Sequence, residues 1–226
     1  MMFKKLQGDS LNLVRFNPPQ TLALGFVALI VAGALLLMLP VSTNPGYRLS
    51  FLDALFEATS AVCVTGLVVT DTANTFTMFG ELVIMLLIQV GGLGFMTFGI
   101  LVALLLGKKI GLTERLIVQN AMNQFNMSGI VKLVIAVVYG TLIVEAVGAV
   151  LLAAAWSGEM GWGKAFYYGA FHAVSSFNNA GFDLMGNFSS LTGYVGDLPV
   201  NLIISALFIL GGLRSEERRV GKECRL

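Results

Sequence analysis

Charge is scarce in this chain. Asp, Glu, Lys and Arg together make up 12% of its 226 residues, whereas 56% are hydrophobic, and soluble domains carry roughly twice that share of charge. Two cysteines, Cys63 and Cys224, with Cys63 inside an apolar run, do not support a disulfide framework or a zinc site. A single histidine, His172, and the absence of H-E-x-x-H, G-x-S-x-G and P-loop motifs argue against an enzyme. A reactive pair would have to come from His172, Glu57 and Glu145. The basic residues are scattered without interleaved aromatics, which gives no basis for nucleic-acid binding. No secretory leader is expected, because the first apolar run is long enough to span and lacks a cleavage-like ending.

What is present is apolar length. The mean hydropathy is +0.82, and four runs approach the roughly 20 residues that cross about 30 Å of hydrocarbon: Thr21–Leu39, Met78–Leu106, Ile130–Trp156 and Leu198–Leu213. The expected fold class is therefore an all-α integral membrane protein in a lipid bilayer. Seven basic residues (Lys4, Lys5, Arg15, Lys108, Lys109, Arg115, Lys132) fall on one side of this topology and two (Arg48, Lys164) on the other. The positive-inside bias then places the N-terminus in the cytoplasm of a multi-pass protein in the cell membrane. Asn44, Pro45 and Gly46 signal a turn in the first external loop. The glycines Gly91, Gly92, Gly94 and Gly99 read either as close helix packing or as a kink. Glu145 lies deep in an apolar run, where an ionisable group costs on the order of 3 kcal/mol; it serves either a structural hydrogen bond or a place near an ion path.

Two stretches do not fit the spans. Ser50–Val69, SFLDALFEATSAVCVTGLVV, opens with a Ser50-x-x-Asp53 helix-start signal. It can run helical for only about 12 residues, roughly 18 Å, before an uncharged Val-Thr-Gly run. Too short to cross, it should enter the membrane and return. Ala165–Leu184 repeats it at an offset of 115, pairing Phe51 with Phe166, Phe56 with Phe171, Ala58 with Ala173, Ser60 with Ser175 and Gly66 with Gly181. Each copy sits between two long apolar runs, so a duplicated unit is the simplest account. A cation sheds its water only where oxygen atoms replace it, and backbone carbonyls do this without fixed charge. Glycine suits a backbone whose successive carbonyls must point one way. Val64, Thr65, Gly66 and Leu67 meet that need, and so do Asn179, Ala180, Gly181 and Phe182. Each short helix would also aim its partially negative C-terminus at the path. Asp183 either draws cations to the outer mouth or makes a loop hydrogen bond. His172 matches Glu57 on the short helix and reads as packing or capping sooner than as a ligand or base.

The order span, short helix, CVTGL or NNAGF segment, span resembles the Trk/Ktr/HKT potassium transporter superfamily, most closely the membrane subunit of Ktr systems, over about residues 17–213. The resemblance implies potassium transport through a carbonyl-lined selectivity filter, four such units around one pore, and Gly66 and Gly181 as filter glycines. It also implies a homodimer, a cytosolic nucleotide-binding regulatory subunit, and no cofactor beyond the transported ion. A sodium-coupled or sodium-selective secondary transporter built on broken helices is the alternative. On this reading residues 1–16 are a cytoplasmic segment, 17–107 a first repeat, 108–129 a cytoplasmic linker and 130–213 a second repeat with a shortened last helix. Residues 214–226, RSEERRVGKECRL, with eight charged positions of thirteen, resemble translated sequencing adapter and read as a non-native tail. Two units of four would not conduct alone.

Overall fold

The computed structural model describes residues 18–94 and 130–220. The N-terminal basic segment, residues 95–129 with Gly99 and the linker, and residues 221–226 lie outside the described residues. Seven α-helices are described: α1 Pro18–Leu37, α2 Phe51–Cys63, α3 Thr72–Thr75, α4 Met78–Leu93, α5 Ile130–Met160, α6 Trp162–Phe177 and α7 Leu198–Val220, with a 3-10 turn at Thr192–Tyr194. Among the described residues there is no sheet, only an antiparallel bridge between Thr43 and Phe76.

Local chemistry sets most boundaries. Pro18 and Pro19 open α1, where a missing N–H costs nothing. Ser50 caps α2 as its motif requires: its Oγ accepts from the Asp53 N–H at 3.1 Å, and the Asp53 carboxylate accepts from the Ser50 N–H at 3.4 Å. Asp71 caps α3, accepting from Asn74 N–H at 2.9 Å, and Thr77 caps α4, accepting from Gly80 N–H at 3.4 Å. The turn at Asn44–Gly46 forms, with Gly46 at φ 98°. The amide of Asn44 ties this loop to the next one, donating to the carbonyls of Asn74 and Phe76 at 2.9 Å each.

One expected span takes different bounds, and the helix holding another, Leu198–Leu213, extends beyond it. The run from Met78 does not continue to Leu106 as one helix: α4 stops at Leu93, and Gly94 at φ 82° caps it, a conformation that glycine adopts without a Cβ clash. The last helix does not stop at Leu213 but runs to Val220, since the Glu and Arg residues that follow are good helix formers whatever their solvent. Among the described residues one helix, over Val134–Met160, is long and apolar enough to cross a membrane; Ala23–Leu37, Met78–Leu93 and Leu198–Leu213 are shorter apolar segments.

The helices pack as two groups, α1 with α2 and α4, and α5 with α6 and α7, joined where α4 meets α6. Small residues permit the closest approaches. Gly91 of α4 lies against the Val62 carbonyl at the end of α2, and Gly211 of α7 lies against the Phe177 carbonyl at the end of α6. Val62 and Phe177 are themselves 115 residues apart, so both groups use one glycine to seat the end of the short helix.

Candidate functional site

Both short helices end the same way. Val64 follows α2 at φ 57° and Asn179 follows α6 at φ 59°; neither begins an extended run, because both adopt the left-handed conformation, which is uncommon for a β-branched residue. The next N–H then turns back to the last helical turn: Thr65 N–H donates to the Ser60 carbonyl at 3.0 Å, and Ala180 N–H to the Ser175 carbonyl at 2.7 Å. Gly66 and Gly181 follow at φ 74° and 77°. The helices thus stop, and non-helical backbone leaves each of them.

The two segments meet. A Cβ placed on Gly66 would fall on the Ala180 carbonyl oxygen and within 3.2 Å of Gly181 Cα, and one on Gly181 would lie 3.5 Å from Gly66 Cα. A cleft of about 180 Å³ beside the two glycines is lined by Gly66, Val68, Asp71, Gly181, Asp183 and Ser190. Asp183 makes the loop hydrogen bond, its Oδ1 accepting from Met185 N–H at 2.9 Å, while its residue also lines the cleft. Asp71 brings a second carboxylate there that sequence reasoning did not single out. Its Oδ2 accepts from Phe188 N–H at 2.7 Å and binds the two loops together.

Burial alternates along the segments. In the second, Ala180, Phe182 and Leu184 are buried in one core with Ala54, Ala58 and Val62 of α2 and Ile84 of α4, while Asn179 and Gly181 face outward. In the first, the equivalent residues Thr65, Leu67 and Val69 are exposed, Leu67 by 63%. The carbonyl of Phe182 is occupied from behind, accepting from the buried Ser175 hydroxyl at 2.6 Å. On the first segment Thr65 Oγ1 donates to Ser60 Oγ at 2.9 Å.

Behind the C-terminus of α6 lies a buried polar cluster. Glu145 accepts from Gln89 Nε2 at 3.0 Å and from Asn178 Nδ2 at 2.9 Å, joining α4, α5 and the residue that caps α6. The structure favours the first of the two roles open to Glu145, a hydrogen-bonding one. Gly92 lies against the Asn178 side chain, so the glycines at 91 and 92 serve close packing, and Gly94 ends the helix. Replacing Glu145 with leucine would take the acceptor from half-buried Gln89 Nε2 and one of three acceptors from Asn178 Nδ2, which keeps Gln89 Oε1 and the Val174 carbonyl, at about 1–3 kcal/mol in all. The melting temperature of the purified protein in detergent should fall clearly for Glu145→Leu and much less for Glu145→Gln.

The sequence profile of a family described as TrkH, a cation transport protein, matches residues 14–214. The chain belongs to the TrkH family. Among curated relatives, Ktr system potassium uptake protein B of Bacillus subtilis (strain 168) is 50% identical over 209 residues, covering 92% of this chain and 46% of that protein. The potassium/sodium uptake protein NtpJ of Enterococcus hirae is 44% identical over 199 residues, covering 88% and 44%. Ktr system potassium uptake protein B of Vibrio alginolyticus is 40% identical over 195 residues, covering 86% and 42%. This TrkH-family chain therefore spans a little under half the length of the curated relatives it matches. Membership of a transport family implies a membrane location and is not membership of an enzyme class, in keeping with the apolar, mostly helical chain.

Proposed function

We propose that this chain forms part of a potassium-conducting membrane subunit of a Ktr/Trk-type uptake system, in which Gly66 and Gly181 stand in a selectivity filter made of peptide oxygens. The reading is carried by one observation: two helix ends, 115 residues apart, break in the same left-handed turn and bring a positive-φ glycine backbone to backbone. The residues on either side of each glycine, Thr65 and Leu67, Ala180 and Phe182, carry no charge, so the groups next to the glycines that could replace a cation's water are dipolar. The carbonyls of Val64, Thr65, Gly66 and Leu67 and of Asn179, Ala180, Gly181 and Phe182 are the candidates, that of Phe182 already accepting one hydrogen bond from Ser175. The C-termini of α2 and α6 add about half a negative charge each, and Asp71 and Asp183 line the cleft beside the glycines. Transport is passive translocation with no covalent chemistry. The names of the Ktr relatives support a multicomponent system, and we extend to this chain the expected homodimer, cytosolic nucleotide-binding subunit and cytoplasmic N-terminus.

A sodium-passing transporter is the second reading, favoured by the relative named for both ions. The deciding experiment expresses the full-length protein from this locus in cells lacking potassium uptake, with sodium flux measured alongside. Growth at low external potassium with little sodium entry is expected. Sodium flux without potassium accumulation would overturn the proposal in favour of the second reading.

A further inference from the structure

Besides a buried serine, Ser60 or Ser175, each short helix carries one buried titratable side chain bonded to its returning backbone, and the two occupy equivalent positions. On α2, Glu57 is fully buried. Its Oε1 accepts from the N–H groups of Val69 at 2.9 Å and Thr70 at 3.1 Å, and from Thr70 Oγ1 at 3.3 Å. On α6, 115 residues later, His172 is 2% exposed, and its Nε2 lies 3.4 Å from the N–H of Leu184. Leu184 is the equivalent of Val69. The histidine's protonation follows from its partners: Nδ1 lies 2.7 Å from the Tyr168 carbonyl, which only accepts, so Nδ1 carries the proton and Nε2 is free to accept from the Leu184 amide. Trp156, with its ring centroid 5.1 Å away and edge-on, and Phe171 at 6.0 Å hold the imidazole in place. What the carboxylate and the imidazole both do here is accept a backbone N–H three residues beyond the glycine.

We infer that Glu57 and His172 are paired positioning residues that anchor the outer ends of the two segments and thereby set the spacing of the peptide oxygens at Gly66 and Gly181. Neither lines the cleft that the two glycines share, although His172 borders an adjoining cavity of about 280 Å³ with Gly181, Phe182 and Asp183. The helix ends hold the inner part of each segment, through Thr65 to Ser60 and through Ala180 and Phe182 to Ser175, and the anchor holds the outer part. The other oxygen of Glu57, Oε2, is buried and has no hydrogen-bond partner among the described residues, so every bond from Glu57 to the segment runs through Oε1. An acceptor at the Oε1 position suffices.

The inference rests on the filter reading above, and the test separates the two. In the full-length protein from this locus, potassium uptake is measured with and without competing sodium for Gly66→Ser, Glu57→Leu, Glu57→Gln, Glu57→Asp, His172→Leu and His172→Gln, each normalised to protein in the membrane. Glu57→Leu and His172→Leu should each lower the potassium preference by at least about fivefold, the worth of one lost hydrogen bond. Glu57→Gln and His172→Gln, which keep an acceptor, should stay within about twofold. Where a leucine variant does not accumulate, Glu57→Asp, which withdraws the oxygen by one methylene, supplies the readout and should also lose preference. Unchanged preference in the leucine or aspartate variants, with Gly66→Ser altered, overturns the anchoring role alone. A glutamine variant as poor as leucine overturns it too, since charge or packing would then be what counts. Unchanged preference in Gly66→Ser overturns the filter reading itself.

Discussion

Replacing Gly66 with serine in the full-length protein should cost at least about tenfold in preference for potassium over sodium, equivalent to about 1.4 kcal/mol. Two independent effects add at this position. At φ 74° an L-residue meets the left-handed penalty of roughly 1–2 kcal/mol. The new Cβ would also be driven into the Ala180 carbonyl oxygen, which has no flexible chain behind it to retract, so the two segments must part. Oxygens spaced for one ion would then suit it less well. Potassium uptake against graded sodium is the measurement, and an unaltered ratio would remove Gly66 from the path. Gly181→Ser should act more mildly, because its Cβ would meet only Gly66 Cα at 3.5 Å, and its cost is chiefly the backbone conformation.

The largest effect on folding is expected at Gly91. A side chain there enters the last turn of α2, on the Val62 carbonyl oxygen and 2.7 Å from its carbon. Gly91→Val should destabilise by about 3 kcal/mol, the upper end of overpacking costs, and Gly211→Val should do the same against the Phe177 carbonyl. Gly140, on α5, has nothing within 4 Å of its would-be Cβ, so Gly140→Ala should leave stability unchanged or slightly raised. Size-exclusion profiles and melting curves of the detergent-solubilised full-length protein would check this. Equal behaviour of Gly91→Val and Gly140→Ala would contradict the packing described.

What could be read from residues alone were features with a local cause. The Ser50 cap, the brevity of α2, the turn at Gly46 and the glycines of the two segments follow from side-chain chemistry over a few positions. The 115-residue repeat is weak as identities, yet the structure carries it further than the letters do. Positions as different as Glu57 and His172, or Val64 and Asn179, share a bond or a dihedral angle rather than a side-chain type. Sequence comparison scores them as mismatches for that reason. Glu145 remained open between two roles because its partners, Gln89 and Asn178, come from other helices. The helices α4 and α7 depart from the apolar runs that hold them in opposite directions. A glycine ended one inside an apolar run, and helix-forming charged residues prolonged the other.

The unequal burial of the two segments bears on symmetry. One group of helices receives the side chains of its neighbour's segment, Ala180, Phe182 and Leu184, while its own Thr65, Leu67 and Val69 stay uncovered. Such a contact is heterologous, a donor surface on one body and an acceptor on the next, and contacts of this kind close into a ring where the rotation between bodies allows it and otherwise continue as an open array. Among the described residues, the edge at Leu67 presents the donor surface without an acceptor against it.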